Sequence, residues 1–187
     1  LLEGNSAILG VVADGLGGHN RGDIASRLAI NTVTSELGQK AISSLALQKA
    51  VTDANRAIYT DANCRSMKST IAIVWFDSTC ALSATVGDTR IYQFRNNKIR
   101  FQSKDHSVTQ LEVIAGEIDE REIRGNKDRN KLIRALGARE EVKADITSLE
   151  ALPGDAFLLC SDGFWENIWE DEMLILLEQS ANATYWL

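Results

Sequence analysis

Two neighbouring apolar stretches decide the fold of this chain: residues 69–76 (STIAIVWF) and residues 80–87 (CALSATVG). Both are rich in β-branched or small apolar residues, and three residues separate them, a spacing typical of an antiparallel pair of strands. Residues 90–94 and 98–101 form a second such pair around the turn signal Asn96-Asn97. We therefore predict an antiparallel meander through this part of the chain.

The sequence before this meander predicts one strand and two helices. Residues 7–13 (AILGVVA) are almost continuously apolar and end at Asp14-Gly15, as a buried strand does when it enters a loop. Further along, apolar residues recur at roughly helical spacing in two segments, so we predict two amphipathic helices. Their predicted core faces consist of Ile24, Leu28, Ile30, Val33 and Leu37 in the first, and Leu47, Val51, Ala54 and Ile58 in the second.

The sequence after the meander mixes helices and strands. We predict a short helix at residues 111–115, an exposed strand at 141–149, a buried strand at 156–160 (AFLLC) and a last helix at 171–179, with an extended segment at 131–136. Helices and antiparallel strands in separate blocks indicate an α+β domain with two antiparallel sheets flanked by helices. We expect residues 1–187 to form a single domain, because no linker or repeat interrupts them.

Composition excludes several classes of function. The 187 residues carry a formal net charge of −6, and the basic residues form no dense stripe, so nucleic-acid binding is not expected. No apolar stretch is long enough to span a bilayer, so no membrane partner is expected either. The three cysteines, Cys64, Cys80 and Cys160, are odd in number and widely spaced, which favours reduced thiols and a cytoplasmic location.

Three aspartates stand beside glycines at the ends of apolar strands: Asp14, Asp88 and Asp162. A single aspartate in that position usually begins a turn. Three of them at the ends of neighbouring strands would repel one another unless a hard cation lay between them. Glu166, four residues after Asp162, would add a carboxylate on the same side if the chain is helical there.

The donor types select the metal. Carboxylates, a backbone carbonyl freed at a glycine, and water are ligands for Mg²⁺ or Mn²⁺, whereas zinc prefers sulfur and nitrogen. The two histidines, His19 and His106, lie far apart and form neither a histidine-rich metal motif nor a Ser/His/Asp relay. We therefore expect chemistry through metal-bound water.

An ordered set of segments resembles the type 2C (PPM) class of metal-dependent protein serine/threonine phosphatases, in particular its bacterial members. Each segment alone is a weak signal, but their order and spacing match across nearly the whole chain. The segments are VVADGLGGHNRGDIAS (11–26), KSTIAIVWF (68–76), ATVGDTRIYQF (84–94), KDHSVTQLEVIAGEI (104–118), RNKLIRALG (129–137) and GDAFLLCSDGFWENI (154–168).

The resemblance implies a fold, a reaction and a set of ligands. Two antiparallel sheets would be sandwiched between layers of helices, and two or three Mn²⁺ or Mg²⁺ ions would hold the water that attacks the phosphorus of phosphoserine or phosphothreonine. Asp14 and Asp162 would be the catalytic ligands, with Asp14 bridging two ions and the carbonyl of Gly15 on one of them. Asp88 and Glu166 would join Asp162 at a third ion.

The chain also departs from the family pattern. The family's upstream arginine and acidic pair, and the aspartate of a downstream Asp-Asn pair, find no match in residues 1–187, so we expect a domain incomplete at both ends with its terminal strands missing. Leu16 stands where some members have a proton-donating histidine, and we read His19 as a polar loop residue. Cys160 lacks the arginine-rich loop of a cysteine nucleophile, so we read it as a buried strand residue.

The expected partners are phosphoprotein substrates, including those of a serine/threonine kinase, and the expected state is a monomer. Two alternatives stay open: a pseudophosphatase or regulatory module that keeps the fold without turnover, and a nucleotide-binding protein with a phosphate loop at residues 15–18, which lacks the Walker lysine. Asp105 or Ser107 is a candidate helix N-cap, His106 a packing residue, and Trp165 with Trp169 a packed helical face.

Overall fold

The computed structural model describes residues 2–4, 7–16, 22–38, 40–61, 67–77 and 80–186. His19, Cys64, Gly17 and Gly18 lie outside these ranges. The strands are β1 Leu2–Gly4, β2 Ala7–Val12, β3 Gly15–Leu16, β4 Lys68–Ser69, β5 Ile71–Phe76, β6 Ala81–Val86, β7 Arg90–Arg95, β8 Lys98–Gln102, β9 Asp145–Leu149 and β10 Ala156–Cys160. The α-helices are α1 Gly22–Leu37, α2 Ser44–Thr60, α3 Val108–Ala115, α4 Asp162–Trp165, α5 Glu170–Gln179 and α6 Ala183–Trp186, and Glu120–Gly125 is a 3₁₀ helix.

Two antiparallel sheets form the centre of the fold, as predicted. The first has the strand order β1-β2-β5-β6-β9 and the second has the order β10-β7-β8, while β3 and β4 form a small separate pair. Asn96 and Asn97, with φ of 51° and 55°, make the tight turn between β7 and β8.

The prediction of one continuous meander is wrong at residues 87–89. Within the described residues β6 does not pair with β7, because the chain leaves the first sheet there and enters the second. Gly87 makes this change of direction with a φ of 102°, which side chains rarely allow, and a Cβ on it would lie 2.6 Å from the Thr70 Cγ2 atom. Asp88 therefore stands at a corner between the sheets.

The side chains of β5 alternate between two cores. Ile71, Ile73 and Trp75 are buried against α1 and α2, whereas Ala72 and Val74 are buried between the two sheets. A third core lies on the far face of the second sheet, where α5 and α6 cover β7 and β10. The layers are therefore helices, sheet, sheet and helices, which confirms the predicted architecture.

The two predicted helices exist, but the predicted core face of α1 is partly wrong. Ile24 is 40% exposed, and the buried stripe instead begins with Ala25 and Ala29 before it reaches Val33 and Leu37. Small residues at this spacing let the backbone of α1 approach its neighbours closely. In α2 the predicted residues are buried, and Ser43 caps the helix by accepting a hydrogen bond from the Ala46 N–H group at 3.2 Å.

Other elements differ in extent. Residues 131–136 contribute two isolated bridges, Ser107 to Leu132 and Ser69 to Leu136, and the predicted strand 141–149 begins only at Asp145. Sequence reasoning also missed the 3₁₀ helix and the short helices α4 and α6. In the part of the chain that the structure describes, none of the helices combines the length and hydropathy that a membrane span needs.

Candidate metal centre

Asp14 follows β2 and is fixed through its backbone. Its N–H group donates to Thr70 Oγ1 at 3.0 Å, and its carbonyl accepts from the Thr70 N–H group at 2.8 Å and from Ser69 Oγ at 2.9 Å. Since Thr70 immediately precedes β5, these bonds hold Asp14 at the end of the first sheet where Gly87 follows β6. The Asp14 side chain is left free of this backbone network.

Gly15 lies against the start of α1. A Cβ on Gly15 would come within 1.9 Å of the Gly22 carbonyl oxygen, and a Cβ on Gly22 within 2.5 Å of the Gly15 carbonyl oxygen. Two glycines are therefore required for this backbone approach. The Gly15 carbonyl is directed near the first turn of α1, beside Asp14.

Asp162 and Asp88 reach the same end of the molecule from the second sheet. Cys160 at the end of β10 pairs with Arg90 at the start of β7. Asp162, two residues after Cys160, and Asp88, two residues before Arg90, therefore lie at the same edge of the second sheet. Asp162 opens α4, and one of its carboxylate oxygens accepts from the Gly163 N–H group at 2.7 Å. The three predicted aspartates therefore converge.

Burial and neighbouring carboxylates shift the protonation of Asp14 and Asp88. Burial raises the pKa of Asp14, and the negative charge of Asp162 and a direct side-chain interaction with it raise it further. Burial also raises the pKa of Asp88 to about 7, with added repulsion from Asp162, Asp105 and Asp14. Among the described residues, no basic side chain forms an ion pair with Asp14, Asp88 or Asp162.

This donor set fits a hard divalent cation. Carboxylates that meet without an internal counter-charge are stabilised by an added cation, and oxygen donors suit Mg²⁺ and Mn²⁺. Within the described ranges, however, no three His, Cys, Asp or Glu side chains are already arranged to hold one ion. Asp14 and Asp162 form the direct pair, and Asp88 lies nearby but is only 5% exposed.

Glu166 is on the same short helical turn as Asp162, but its carboxylate has another partner. Arg129 Nε donates to Glu166 Oε1 at 2.8 Å. Arg129 comes from the segment after the 3₁₀ helix, so this ion pair ties that segment to α4. Arg129 binds one oxygen of Glu166, so a role for Glu166 at a third ion would use the other oxygen, and that role stays a prediction.

A buried cluster of paired charges lies directly behind the carboxylates. Arg90 donates to both carboxylate oxygens of Asp105, at 2.9 and 2.7 Å, and the guanidinium carbon stacks 3.6 Å from the centre of the Trp165 ring. Trp165 Nε1 then donates to the Asp88 carbonyl at 2.9 Å. Sequence reasoning missed this cluster, although Arg90 stands in the motif that contains Asp88.

Some of the minor sequence predictions agree with the structure and one is wrong. Ser107 is the N-cap of α3 and accepts from the Gln110 N–H group at 3.2 Å. Trp165 is buried as predicted, but Trp169 is 42% exposed and stacks with Arg124 at 4.2 Å, so the two tryptophans do not form one packed face. Burial raises the pKa of the Cys160 thiol to about 12, which suits a structural residue and not a nucleophile.

Comparison with known proteins agrees with this geometry. The sequence model of the family described as protein phosphatase 2C matches residues 2–183. The serine/threonine phosphatase stp of Listeria welshimeri is 30% identical over 185 residues, which cover 93% of this chain and 73% of that protein.

Solved structures give the same result. The crystal structure of the Mycobacterium tuberculosis serine/threonine phosphatase PstP/Ppp superposes with a TM-score of 0.85 at 30% identity, covering 95% of this chain and 77% of that one. The catalytic domain of the phosphatase PstP in complex with two manganese ions gives 0.83 at 29% identity, covering 95% and 76%. Together with the converging carboxylates at one end of the two sheets, these matches show that the chain belongs to the protein phosphatase 2C family.

Proposed function

We propose that this chain hydrolyses phosphoserine and phosphothreonine monoesters on proteins, with two or three Mn²⁺ or Mg²⁺ ions as cofactors. The observation that carries the proposal is the meeting of Asp14 and Asp162 at adjacent strand ends, where no basic side chain among the described residues pairs with either. A family whose relatives are named serine/threonine phosphatases supplies the reaction class.

Asp14 and Asp162 would hold the ions directly, with the Gly15 carbonyl as a further ligand. Asp88 would serve a third ion, and Glu166 would join it through the oxygen that Arg129 does not bind. When bound, such cations lower the pKa of a water molecule and neutralise charge on the phosphoryl oxygens. The hydrogen bonds of the Asp14 backbone to Ser69 and Thr70 fix the point from which its carboxylate extends before substrate arrives, which limits the reorganisation that the reaction requires.

Hydrogen bonds around the site also connect the two sheets. Thr70 Oγ1 is hydrogen-bonded to Thr89 Oγ1, and Trp165 holds the Asp88 carbonyl. These contacts connect the ends of both sheets across the site. The carboxylates are thus attached to two rigid sheets, and their spacing follows from the sheet packing and not from a flexible loop.

Hydrolysis of a small aryl phosphate and of phosphoserine, phosphothreonine and phosphotyrosine peptides tests the proposal. We expect turnover of the first three with added Mn²⁺, little turnover of the phosphotyrosine peptide, and loss of activity in EDTA that Mn²⁺ restores. Full-rate turnover in EDTA would contradict metal dependence.

The regulatory alternative makes a different prediction for the same samples. A pseudophosphatase would bind Mn²⁺ by titration calorimetry and bind a phosphopeptide without releasing phosphate. The matched control is Asp171→Asn, which removes an exposed carboxylate that pairs with Arg121 and should leave both activity and Mn²⁺ binding unchanged.

We further infer that residues 1–187 act as one catalytic domain that works on phosphoproteins, including those made by a serine/threonine kinase, as a monomer in the cytoplasm. The core between the two sheets supports the single domain, because residues of β5, β7 and β10 share it. The free thiols of Cys80 and Cys160 support the reducing compartment.

A further inference from the structure

His106 lies in the segment that leads from β8 into α3, and its ring packs against the turn between the two sheets. It is 4% exposed, and both of its neighbours in sequence have defined roles, since Asp105 holds Arg90 and Ser107 caps α3. The sequence alone predicts only a packing role for His106. The structure shows that His106 also makes polar contacts through its backbone and both ring nitrogens.

The ring and the backbone of His106 bind both polar groups of Gly87. The Gly87 N–H group donates to His106 Nδ1 at 2.9 Å, and the His106 N–H group donates to the Gly87 carbonyl at 2.9 Å. Gly87 is the residue with φ of 102° that turns the chain out of β6. Both of its backbone groups are thereby satisfied in a buried position where water is excluded.

The other ring nitrogen fixes the tautomer. His106 Nε2 lies 3.0 Å from Asp145 Oδ2 and 2.9 Å from Arg134 Nη1. Because Nδ1 accepts from Gly87, the single proton of the neutral ring is on Nε2 and is donated to Asp145. Arg134 Nη1 donates to two other acceptors, Asp145 Oδ1 at 2.6 Å and the Lys143 carbonyl at 3.1 Å. It therefore does not require His106 Nε2 as an acceptor.

The neutral ring is consistent with its surroundings. Burial lowers the pKa of His106 below its usual value, and the hydrogen bond to Asp145 offsets only part of the shift. A protonated ring would present an N–H group to the Gly87 N–H group, and the two donors would repel. An acceptor at the Nδ1 position is therefore the feature that this turn requires.

We propose that His106 is a positioning residue for Asp88: it accepts the Gly87 N–H hydrogen bond at Nδ1 and so fixes the turn that carries the Asp88 carboxylate to the metal centre. The proposal rests on the proposed function, in which Asp88 serves a third ion. Trp165 holds the carbonyl of Asp88 on the other side of the residue, at 2.9 Å. Asp88 is thus held by one contact on each side.

Two substitutions separate positioning from packing. In His106→Asn the side-chain amide oxygen takes the place of Nδ1, whereas in His106→Gln the amide takes the place of Nε2 and reaches Asp145 but not Gly87. We expect kcat with Mn²⁺ to fall on the order of tenfold in His106→Gln, since one hydrogen bond to a buried N–H group is lost, and to stay within about threefold in His106→Asn. KM for the aryl phosphate should change little in both.

The hydrogen bond between Gly87 and His106 can be measured independently of turnover. Hydrogen exchange of the Gly87 amide, followed by NMR in EDTA, should be slow in the parent protein and in His106→Asn, and at least on the order of tenfold faster in His106→Gln. Thermal unfolding of both variants shows that each is folded at the assay temperature. If the parent protein is inactive with Mn²⁺ but the exchange pattern holds, the proposed function fails while the contact stands.

A double-mutant cycle tests whether the effect passes through Asp88. In an Asp88→Asn background, His106→Gln should reduce kcat by less than twofold further, because the group that it positions is already gone. Equal exchange rates at Gly87 in the two His106 variants, equal losses of kcat in both, or fully additive losses with Asp88→Asn would each overturn the proposal.

Discussion

Two groups of buried charge meet at the end of the sheets, and they differ in how they are balanced. The Arg90–Asp105 pair is 3% and 2% exposed and makes two hydrogen bonds within itself. Trp165 links this pair to the carboxylate group, because it stacks on Arg90 and donates to the Asp88 carbonyl. Among the described residues, Asp14, Asp88 and Asp162 have no basic partner. The first group is complete inside the protein, whereas the second is complete only with a charge from outside, so the first should govern stability and the second activity.

The largest expected effect is loss of activity in Asp14→Asn. This change removes one member of the direct carboxylate pair, so turnover with Mn²⁺ should fall on the order of 10³-fold or more, about 4 kcal/mol of transition-state stabilisation. The free energy of unfolding in EDTA should stay the same or rise, because repulsion by Asp162 is relieved. Activity assays and urea unfolding of the same sample measure both quantities.

Asp23→Asn is the matched control for this variant, since Asp23 is an exposed carboxylate in the first turn of α1. It should leave turnover unchanged. A clear loss of stability in Asp14→Asn without metal would contradict the comparison, because it would show that the carboxylate group also stabilises the fold.

The second effect is a loss of stability in Asp105→Ala. The guanidinium of Arg90 would remain buried against Trp165 without its carboxylate, and breaking a buried pair by removing one partner costs about 3 kcal/mol or more. Urea unfolding in EDTA should report this loss, and replacing both members, as Arg90→Met with Asp105→Leu, should recover much of it. Glu120→Ala, which breaks the exposed pair with Lys104, should cost less than about 1 kcal/mol.

The smallest expected effect is a loss of stability at low pH that comes from Asp155, a carboxylate far from the metal centre. Hydrogen bonds from Arg95, at 2.6 and 2.8 Å, lower the pKa of Asp155 to about 2, although burial opposes them. Its pKa in the unfolded chain is about 3.9, so the stabilisation is present above about pH 4 and is lost as the pH falls through about 2.

Thermal unfolding of the parent protein and of Asp155→Asn between pH 6 and pH 2 tests this prediction. The variant should be less stable at pH 6, and the difference between the two melting temperatures should shrink towards pH 2. A constant difference across that range would mean that Asp155 contributes through packing and not through its charge.

Local patterns predict the strands and most of their ends well. Residues 156–160 and the turn at Asn96-Asn97 are recognisable because a buried strand and a two-residue turn have short-range signatures. The aspartates Asp14, Asp88 and Asp162 are recognisable for the same reason, since each ends an apolar strand beside a glycine. Their convergence is inferred from the number of such ends, and the sheet packing confirms it.

The errors arise where distant contacts decide the outcome. Ile24 resembles a core residue by spacing, but the close approach of α1 to its neighbours selects the face with Ala25 and Ala29. Residues 87–89 resemble a hairpin connection, and only the positive φ of Gly87 and the closeness of Thr70, 17 residues earlier, show why glycine is needed where the chain changes sheets. The partner of Glu166, Arg129, is 37 residues distant in sequence, beyond the reach of any local pattern.

The order of strands in the sheets also determines when the site can exist during synthesis. β2 pairs with β5 only after α1 and α2 have been made, and β10 joins β7 only after β8, α3 and β9 have been made. Asp14 therefore leaves the ribosome well before its partner Asp162. Pairing over such sequence separations is slow, because the connecting chain must first be ordered. A nascent or partly folded chain would lack the paired carboxylates, so a competent metal centre arises only with the docking of β10.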